Sequence, residues 1–191
     1  MEPRLVLASA SPRRARILES LGIPFRVAVS AVDETLRPDE AGEAAVERLA
    51  RDKARSVAAR ESLPVLAADT EVLCDGRILG KPGSASEAME MLARLSGRTH
   101  DVVTGVCLIA NGAVRSAVER TAVTFAPLSE ADRAWYVATG EPMDKAGGYH
   151  VGGRGALFVA SIVGSPSNVA GLPVRLVLRF VREAGLELGL P

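Results

Sequence analysis

The chain has 191 residues, of which 48% are hydrophobic, 24% charged and 4% aromatic, a composition that supports a core without a disulfide or metal staple. Basic and acidic residues number 23 each, so no overall field favours a nucleic acid polymer or an anionic membrane. Cys74 and Cys107 stand singly in apolar segments and predict buried thiols rather than zinc ligands. The absence of a leader pattern and of a long apolar window predicts one cytoplasmic domain over residues 1–191, without a membrane span.

The first third of the chain predicts two strand and helix pairs. Residues 5–8 form an apolar strand, and apolar positions at helical spacing follow until Gly22. A second strand is predicted over residues 25–29, with two acids placed at its end. An amphipathic helix over residues 40–60 then carries Lys53 among its charged positions.

The remainder predicts further strands, hairpins and helices. A buried strand over residues 63–68 places Asp69 at its end, and Asn111 with Gly112 predicts the turn of a long hairpin. The other predicted elements are a hairpin at residues 72–79, helices at 84–97, 129–140 and 172–184, and strands at 99–109, 113–125 and 156–163. The pattern indicates an α/β fold with a mixed, twisted sheet and flanking helices, in which ligands bind at strand ends.

The turn after the first strand has the residue types of a phosphate site. Ser11 and Pro12 suit the N-terminus of a helix, where free N–H groups attract anions. Ser9, Arg13 and Arg14 add the hydroxyl and guanidinium donors that phosphate oxygens accept. Taken alone, the segment equally suits a capped helix with solvated arginines.

A second set of candidates consists of two acids and two lysines that flank predicted elements: Glu34, Asp69, Lys53 and Lys81. Hydrolysis of a phosphoanhydride needs a divalent cation on oxygen ligands, positive charge near the phosphates and a carboxylate that orients or deprotonates water. These four residues supply those groups. The alternative is that the acids cap turns while the lysines are solvated on helix faces.

A third candidate is the glycine-bearing loop at residues 141–149, which has too few apolar residues for a core segment. Asp144 and Lys145 could bind metal and phosphate there, and Tyr149 could stack on a base. An ordinary loop with a core tyrosine remains the alternative. Neither His100 nor His150 has the neighbours of a catalytic triad, so neither is assigned a catalytic role.

Six blocks of this sequence, taken in order, resemble the Maf family of nucleoside triphosphate pyrophosphatases. They are residues 7–14 (LASASPRR), 67–70 (AADT), 79–82 (LGKP), 95–100 (LSGRTH), 140–147 (GEPMDKAG) and 168–173 (NVAGLP). The resemblance covers nearly the whole chain, and several blocks in the right order are more specific than any one of them.

The resemblance implies a two-lobed α/β fold with a central cleft and a metal-dependent reaction, with Mg²⁺ or Mn²⁺. A nucleoside triphosphate is cleaved between the α and β phosphates to a monophosphate and pyrophosphate, which removes non-standard or excess nucleotides. Asp69 matches the proton acceptor for the attacking water and, with Glu34, a metal ligand. Other positions that match substrate-binding residues are Ser9, Ser11, Arg13, Arg14, Lys53, Thr70, Lys81, Lys145 and Gly152.

Base preference is where the sequence departs from the family pattern. Members that favour dTTP and UTP resemble Tyr-x-Ile-Gln-Gly, whereas residues 149–153 read YHVGG, with Gly152 in place of the glutamine. The branch that acts on 7-methylguanosine triphosphate resembles residues 144–147 poorly, so a modified or broad nucleotide substrate stays open. The resemblance also leaves a homodimer open, and a non-catalytic nucleotide-binding regulator of cell division is the alternative function.

Overall fold

The computed structural model describes residues 2–190. Its strands are β1 (Leu5–Leu7), β2 (Phe25–Val27), β3 (Val65–Cys74), β4 (Arg77–Leu79), β5 (Thr99–Ala110), β6 (Ala113–Phe125) and β7 (Val159–Val163). Its helices are α1 (Pro12–Ser20), α2 (Gly42–Ala58), α3 (Ala85–Leu95), α4 (Glu130–Ala138), α5 (Pro166–Val169) and α6 (Val174–Glu183). Three short 3₁₀ helices lie at Glu141–Asp144, Ala146–Gly148 and Arg154–Phe158.

The strands form one mixed sheet in the order β2-β1-β3-β5-β6-β7, with β4 paired to β3. β1 runs parallel to both β2 and β3, whereas the β3–β4 and β6–β7 pairs are antiparallel. Parallel neighbours need crossover helices and antiparallel neighbours need only hairpins, which is the pattern that the sequence predicts. The α/β fold class with a mixed sheet and flanking helices is therefore confirmed.

The chain divides into two compact units, of which the first comprises residues 2–69, 104–119 and 171–190. β1 is buried on both faces of the sheet, since its successive residues point to opposite sides and all three are buried. Leu5 and Leu7 pack into a cluster with residues of α1 and α6, while Val6 and Ala8 pack into another with α2. The first unit is thus a three-layered arrangement of helix, sheet and helix.

The second unit comprises residues 70–103 and 120–170 and has its own core. Its buried cluster joins the β3–β4 hairpin, α3, α4 and the strands β5 and β6 around four aromatic rings: Phe125, Tyr136, Tyr149 and Phe158. The rings meet edge to face, an arrangement that aromatic pairs favour. Tyr149 is therefore a core aromatic, the alternative that the sequence left open for it.

The prediction that Asp69 ends a strand is wrong, because β3 continues to Cys74. Val65 and Leu66 pair with β1, whereas Val72 to Cys74 pair with β4. Asp69 lies between these two sets of partners, where the strand has left one neighbour and not yet met the other. The polar run after Ala68 thus marks a change of strand partner.

Glu34 is likewise not at the end of a strand, since β2 stops at Val27 and residues 28–41 contain no helix or strand.

The predicted helices agree with the observed ones apart from their ends. Ser129 and Asp132 form a capping box at the start of α4, in which each satisfies the other's backbone N–H. At α3, Ser84 accepts from the Glu87 N–H, but the Glu87 carboxylate accepts from the Gly83 N–H instead of closing the box. Within residues 2–190, no helix is long and apolar enough to cross a membrane.

Candidate functional site

A buried lysine joins two of the predicted acidic residues. Lys53 lies on the face of α2 that packs on the sheet, and its side chain is only 7% exposed. Its ammonium group donates to Asp69 Oδ1 at 2.6 Å and to Glu34 Oε2 at 2.7 Å. One compact cation in contact with both acids places the two carboxylates side by side. The structure thus brings together three of the four residues in the second candidate set, all within the first unit.

The Asp69 carboxylate is the most constrained group of this cluster. Its side chain is 8% exposed, and Oδ2 accepts no hydrogen bond from any residue between 2 and 190. A buried carboxylate oxygen without a donor is costly unless a cation or a water proton meets it. Glu34 differs because its side chain is 56% exposed. The pair therefore combines a buried acid of fixed orientation with an accessible one.

The turn between β1 and α1 is ordered by its own side chains. Ser9 is buried, and its Oγ accepts hydrogen bonds from Arg14 Nη1 at 3.0 Å and from the Ser11 N–H at 3.2 Å. Arg14 Nε donates to the Gly171 carbonyl oxygen at 2.8 Å. Ser11 occupies the N-cap position of α1 but its side chain makes no capping hydrogen bond. The first-turn N–H groups of α1 are thus not capped by this hydroxyl.

The electrostatics of Arg14 connect this turn with the acidic pair. Burial lowers the pKa of the Arg14 guanidinium, the negative charge of Asp69 raises it, the neighbouring Arg13 lowers it and Glu34 raises it. The negative charges of both carboxylates therefore affect the pKa of Arg14. The hydrogen bonds of Arg14 to Ser9 and Gly171 order the turn. Arg13, at the preceding position, is half-buried.

In the second unit, the structure brings together the two loops that carry Lys81 and Lys145. The Gly147 N–H donates to the Gly80 carbonyl oxygen at 3.0 Å, which ties the loop after β4 to the 3₁₀ helix that follows Lys145. Lys81 is exposed, whereas Lys145 is largely buried and contacts the Asp144 carboxylate and, at 3.4 Å, the Glu141 carbonyl oxygen. Lys145 thus helps to fold its own loop. Thr70 follows Asp69 directly in β3 and is half-buried.

The segment around Gly152 is held by two residues that sequence reasoning missed, Glu141 and Tyr136. The Glu141 carboxylate accepts from the Tyr136 hydroxyl at 2.8 Å and from the backbone N–H groups of Arg154 at 3.2 Å and Gly155 at 3.1 Å. The Tyr136 hydroxyl accepts the backbone N–H of His150 at 3.0 Å. These two side chains fix both ends of the segment 150–155.

Gly152 lies beside the ring of His150. A Cβ at position 152 would be 3.3 Å from His150 Nε2, so a side chain there requires the imidazole to shift. His100, by contrast, is a core residue whose Nε2 lies 2.9 Å from the Tyr149 hydroxyl. Burial lowers the pKa of His100 to about 4, while the charge of Asp101 acts in the opposite direction, so the ring is neutral near pH 7.

The donor set of the acidic pair defines what it can bind. Among residues 2–190, no group of three or more His, Cys, Asp and Glu side chains forms a metal site. Two carboxylates, one of them with a buried oxygen that lacks a donor, nevertheless match the way Mg²⁺ is held, by one or two acids with substrate phosphates and water as the other ligands. The chemistry of the residues present therefore fits a divalent cation that arrives with a phosphorylated ligand.

Fold and cluster together define the class as an α/β protein with a carboxylate and lysine cluster whose chemistry suits phosphate. The sequence matches the family described as Maf-like protein over residues 4–184. A dTTP/UTP pyrophosphatase of Myxococcus xanthus (strain DK1622) is 52% identical over 185 residues, covering 96% of this chain and 94% of that protein. A dTTP/UTP pyrophosphatase of Halalkalibacterium halodurans is 46% identical over 188 residues and 98% of each chain.

Among solved structures, the Staphylococcus aureus Ham1 protein superimposes with a TM-score of 0.53 at 14% sequence identity, covering 94% of this chain and 98% of that chain. At this identity the likeness concerns the fold alone. The match to the family model and the sequence identity of about one half with two relatives show more than the fold. The chain belongs to the Maf-like protein family, which confirms the resemblance derived from the six sequence blocks.

Proposed function

We propose that the protein is a nucleoside triphosphate pyrophosphatase that cleaves between the α and β phosphates and releases a nucleoside monophosphate and pyrophosphate. The observation that carries the proposal is the contact of the Lys53 ammonium with Asp69 and Glu34 in a chain of the Maf-like family. Relatives named dTTP/UTP pyrophosphatase, at 46% to 52% identity and over nearly the whole chain, support the same reaction.

Asp69 is the residue to which we assign the proton of the attacking water. As the new P–O bond forms, water gives up a proton to the carboxylate, and the bond to the departing pyrophosphate breaks. Lys53 holds Oδ1 and so orients the carboxylate, while Oδ2 keeps its lone pairs for a proton. Burial of both side chains strengthens this orientation, because a low-dielectric environment strengthens the attraction between them.

Glu34 and Asp69 are the residues that would hold a divalent cation, Mg²⁺ or Mn²⁺. When bound, such a cation neutralises the charge that develops on the phosphate oxygens. The exposed Glu34 carboxylate and Asp69 Oδ1, which Lys53 contacts in the structure, would be the hard oxygen ligands for it, so that Asp69 Oδ2 stays available for the proton. Before a cation binds, the Lys53 ammonium between the two acids limits their mutual repulsion.

The other substrate contacts are assigned by family position and by chemistry. We place phosphate oxygens on the N–H groups of the first turn of α1, with Ser9, Ser11 and the guanidinium groups of Arg13 and Arg14 around them. Positions of the second unit assigned to the substrate are Thr70, Lys81, Lys145 and Gly152.

We propose dTTP and UTP as the substrates, because relatives of about half identity bear that name. Gly152 supplies no side-chain amide to read a pyrimidine edge, so we assign this discrimination to Arg13, Thr70 and the backbone of residues 150–155. The reaction would remove excess or non-standard nucleotides. Two buried free cysteines are consistent with the reducing cytoplasm.

A panel of nucleoside triphosphates, incubated with the protein and Mg²⁺ or Mn²⁺, tests the proposal. The expected products are monophosphate and pyrophosphate in equal amounts, with dTTP and UTP cleaved fastest and no turnover after chelation of the metal. Absence of pyrophosphate from every nucleotide would exclude the enzyme. Tight nucleotide binding without any product would instead favour a regulator that senses nucleotides.

A further inference from the structure

The longest stretch of the first unit without helix or strand is the segment 28–41, which carries Glu34. Most of its residues are exposed, so apolar burial contributes little to its conformation. Segments of this length without secondary structure are uncommon in compact proteins, and those that are ordered usually serve function. Polar contacts must therefore define where the Glu34 carboxylate lies.

Three basic residues, two on α2 and one just after it, supply those contacts. Arg60 Nη2 donates to the Val29 carbonyl oxygen at 2.9 Å near the start of the segment, and Lys53 holds the Glu34 side chain in the middle. Arg48 holds the end, through Glu40. The segment is thus attached to α2 at intervals along its length.

Arg48 makes the most extensive of these attachments. Its Nε donates to Glu40 Oε1 at 2.7 Å and its Nη2 to Glu40 Oε2 at 2.6 Å, which is the two-pronged geometry that guanidinium and carboxylate groups favour. The two side chains are only 16% and 11% exposed. The same Nη2 also reaches the carbonyl oxygen of Thr35 at 3.4 Å, the residue that follows Glu34.

The contact with Thr35 matters because the side-chain anchor of Glu34 is shared. Lys53 serves Asp69 as well as Glu34, so its hold on Glu34 weakens whenever a phosphate or cation competes for these charges. The backbone next to Glu34 is held independently, by Arg48 and by the Asp33 carboxylate, which accepts the Thr35 N–H at 2.9 Å and its hydroxyl at 2.6 Å.

We propose that Arg48 is a positioning residue, which holds the backbone of the segment 28–41 so that the Glu34 carboxylate stays beside Asp69 during the reaction. The inference rests on the proposed function, since it concerns the same acidic pair. Arg48 affects the reaction only through the position of the Glu34 carboxylate, which separates it from a residue that contacts the substrate. A fork-shaped guanidinium is needed, because an ammonium group cannot bind both Glu40 oxygens and the Thr35 carbonyl in this geometry.

A double-mutant cycle between Arg48→Gln and Glu34→Gln tests this coupling. Arg48→Gln alone is expected to lower kcat/KM by about 10²-fold, the loss typical of a misplaced reacting group. In the Glu34→Gln background the same change should cost no more than about 2-fold, because the residue through which it acts is gone. Arg55→Gln, an exposed position on the same helix, serves as the matched control and should leave the rate unchanged.

Arg48→Lys keeps the charge and protects the test against a variant that does not fold. We expect it to lower kcat/KM by about 10-fold, as replacing a bidentate guanidinium is not conservative. Hydrogen exchange without nucleotide should quicken at Thr35 and Arg37, whose N–H groups bond Asp33 and Glu40. The Arg55→Gln control should leave those amides unchanged.

Two results would overturn the inference. Equal losses from Arg48→Gln with and without Glu34 would show that Arg48 does not act through that carboxylate. Unchanged hydrogen exchange across residues 28–41 in Arg48→Lys would show that the segment does not depend on the fork. Failure of the proposed function is distinguishable from both, because the unsubstituted chain, measured alongside, would then release no pyrophosphate.

Discussion

The acidic cluster of the first unit and the glycine segment of the second unit are built in opposite ways. Lys53 and Asp69 project from a long helix and a central strand and are buried together. The segment 150–155 has no such support and depends on hydrogen bonds from its backbone to Glu141 and Tyr136. The groups to which we assign proton transfer thus lie on regular elements, while the part assigned to base choice lies on a loop that side-chain hydrogen bonds hold in place.

The largest effect is expected when the buried contact between Lys53 and Asp69 is removed. Lys53→Met leaves the buried Asp69 carboxylate without its partner, so we expect a loss of about 3 to 5 kcal/mol in the free energy of unfolding. Glu34 adds little to this figure because it is half-exposed. Chemical denaturation measures the change.

Adding Asp69→Asn to Lys53→Met should recover much of that loss, because the unpaired buried charge is then absent. Arg26→Met provides the control, since Arg26 is 43% exposed where it pairs with Glu61. A Lys53→Met loss no larger than that of Arg26→Met would show that the buried pair contributes no rigidity.

The next effect is a pH dependence of the free energy of unfolding, caused by His100. Burial lowers its pKa from 6.5 to about 4, so the unfolded chain binds the proton more readily than the folded one between these values. Stability therefore rises with pH across this window and is lost as pH falls through it, by up to about 3 kcal/mol. Unfolding midpoints from pH 3.5 to 7, compared with those of His100→Gln, measure the difference. A variant with the same pH slope as the unsubstituted protein would contradict the assignment.

A smaller effect is expected where the glycine segment is attached. Burial acts to raise the pKa of Glu141, but hydrogen bonds from Tyr136 and from the N–H groups of Gly155 and Arg154 outweigh it and lower that pKa below 4.5. Its stabilisation is therefore complete above about pH 4.5 and is lost at lower pH. Glu141→Gln should cost roughly 1 to 2 kcal/mol at pH 7.

For Glu141→Gln, nucleotide KM values should rise while the hydrogen exchange of residues 28–41 stays unchanged. Glu130→Gln, an exposed change in α4, is the control. If Glu141→Gln altered kcat alone and left KM unchanged, the segment would not be a substrate-binding element.

The smallest effect concerns Gly152. In Gly152→Gln the new Cβ meets the His150 ring at 3.3 Å, so the imidazole must move by a few tenths of an ångström while an amide is added. We expect the kcat/KM ratio of dTTP to dCTP to rise by about 10-fold, the scale of one added polar contact. Gly152→Ala adds the crowding without the amide and should leave the ratio unchanged. Equal ratios in Gly152→Gln and the unsubstituted protein would remove this position from base choice.

Sequence reasoning captured the rigid region better than the loop. Helical periodicity placed Lys53 on α2, and six blocks identified the family, but only the structure shows that Lys53 is buried and bridges two acids. Asp69 was wrongly predicted to end a strand. A run of polar residues after a buried strand occurs both where the strand ends and where it changes its pairing partner, and the sequence alone does not separate the two cases. Glu141 and Tyr136 were missed as anchors, since their partners lie up to 14 residues away and follow no period.

The central claim is that Asp69 accepts the proton of the attacking water. Steady-state pyrophosphate release from dTTP by Asp69→Asn tests it most directly, with Asp101→Asn, a 26% exposed carboxylate outside the acidic cluster, as the control. We predict that turnover falls by about 10²- to 10⁴-fold, the contribution of a positioned general base, while nucleotide affinity measured by calorimetry without metal is largely retained. A near-normal rate in Asp69→Asn would contradict the account.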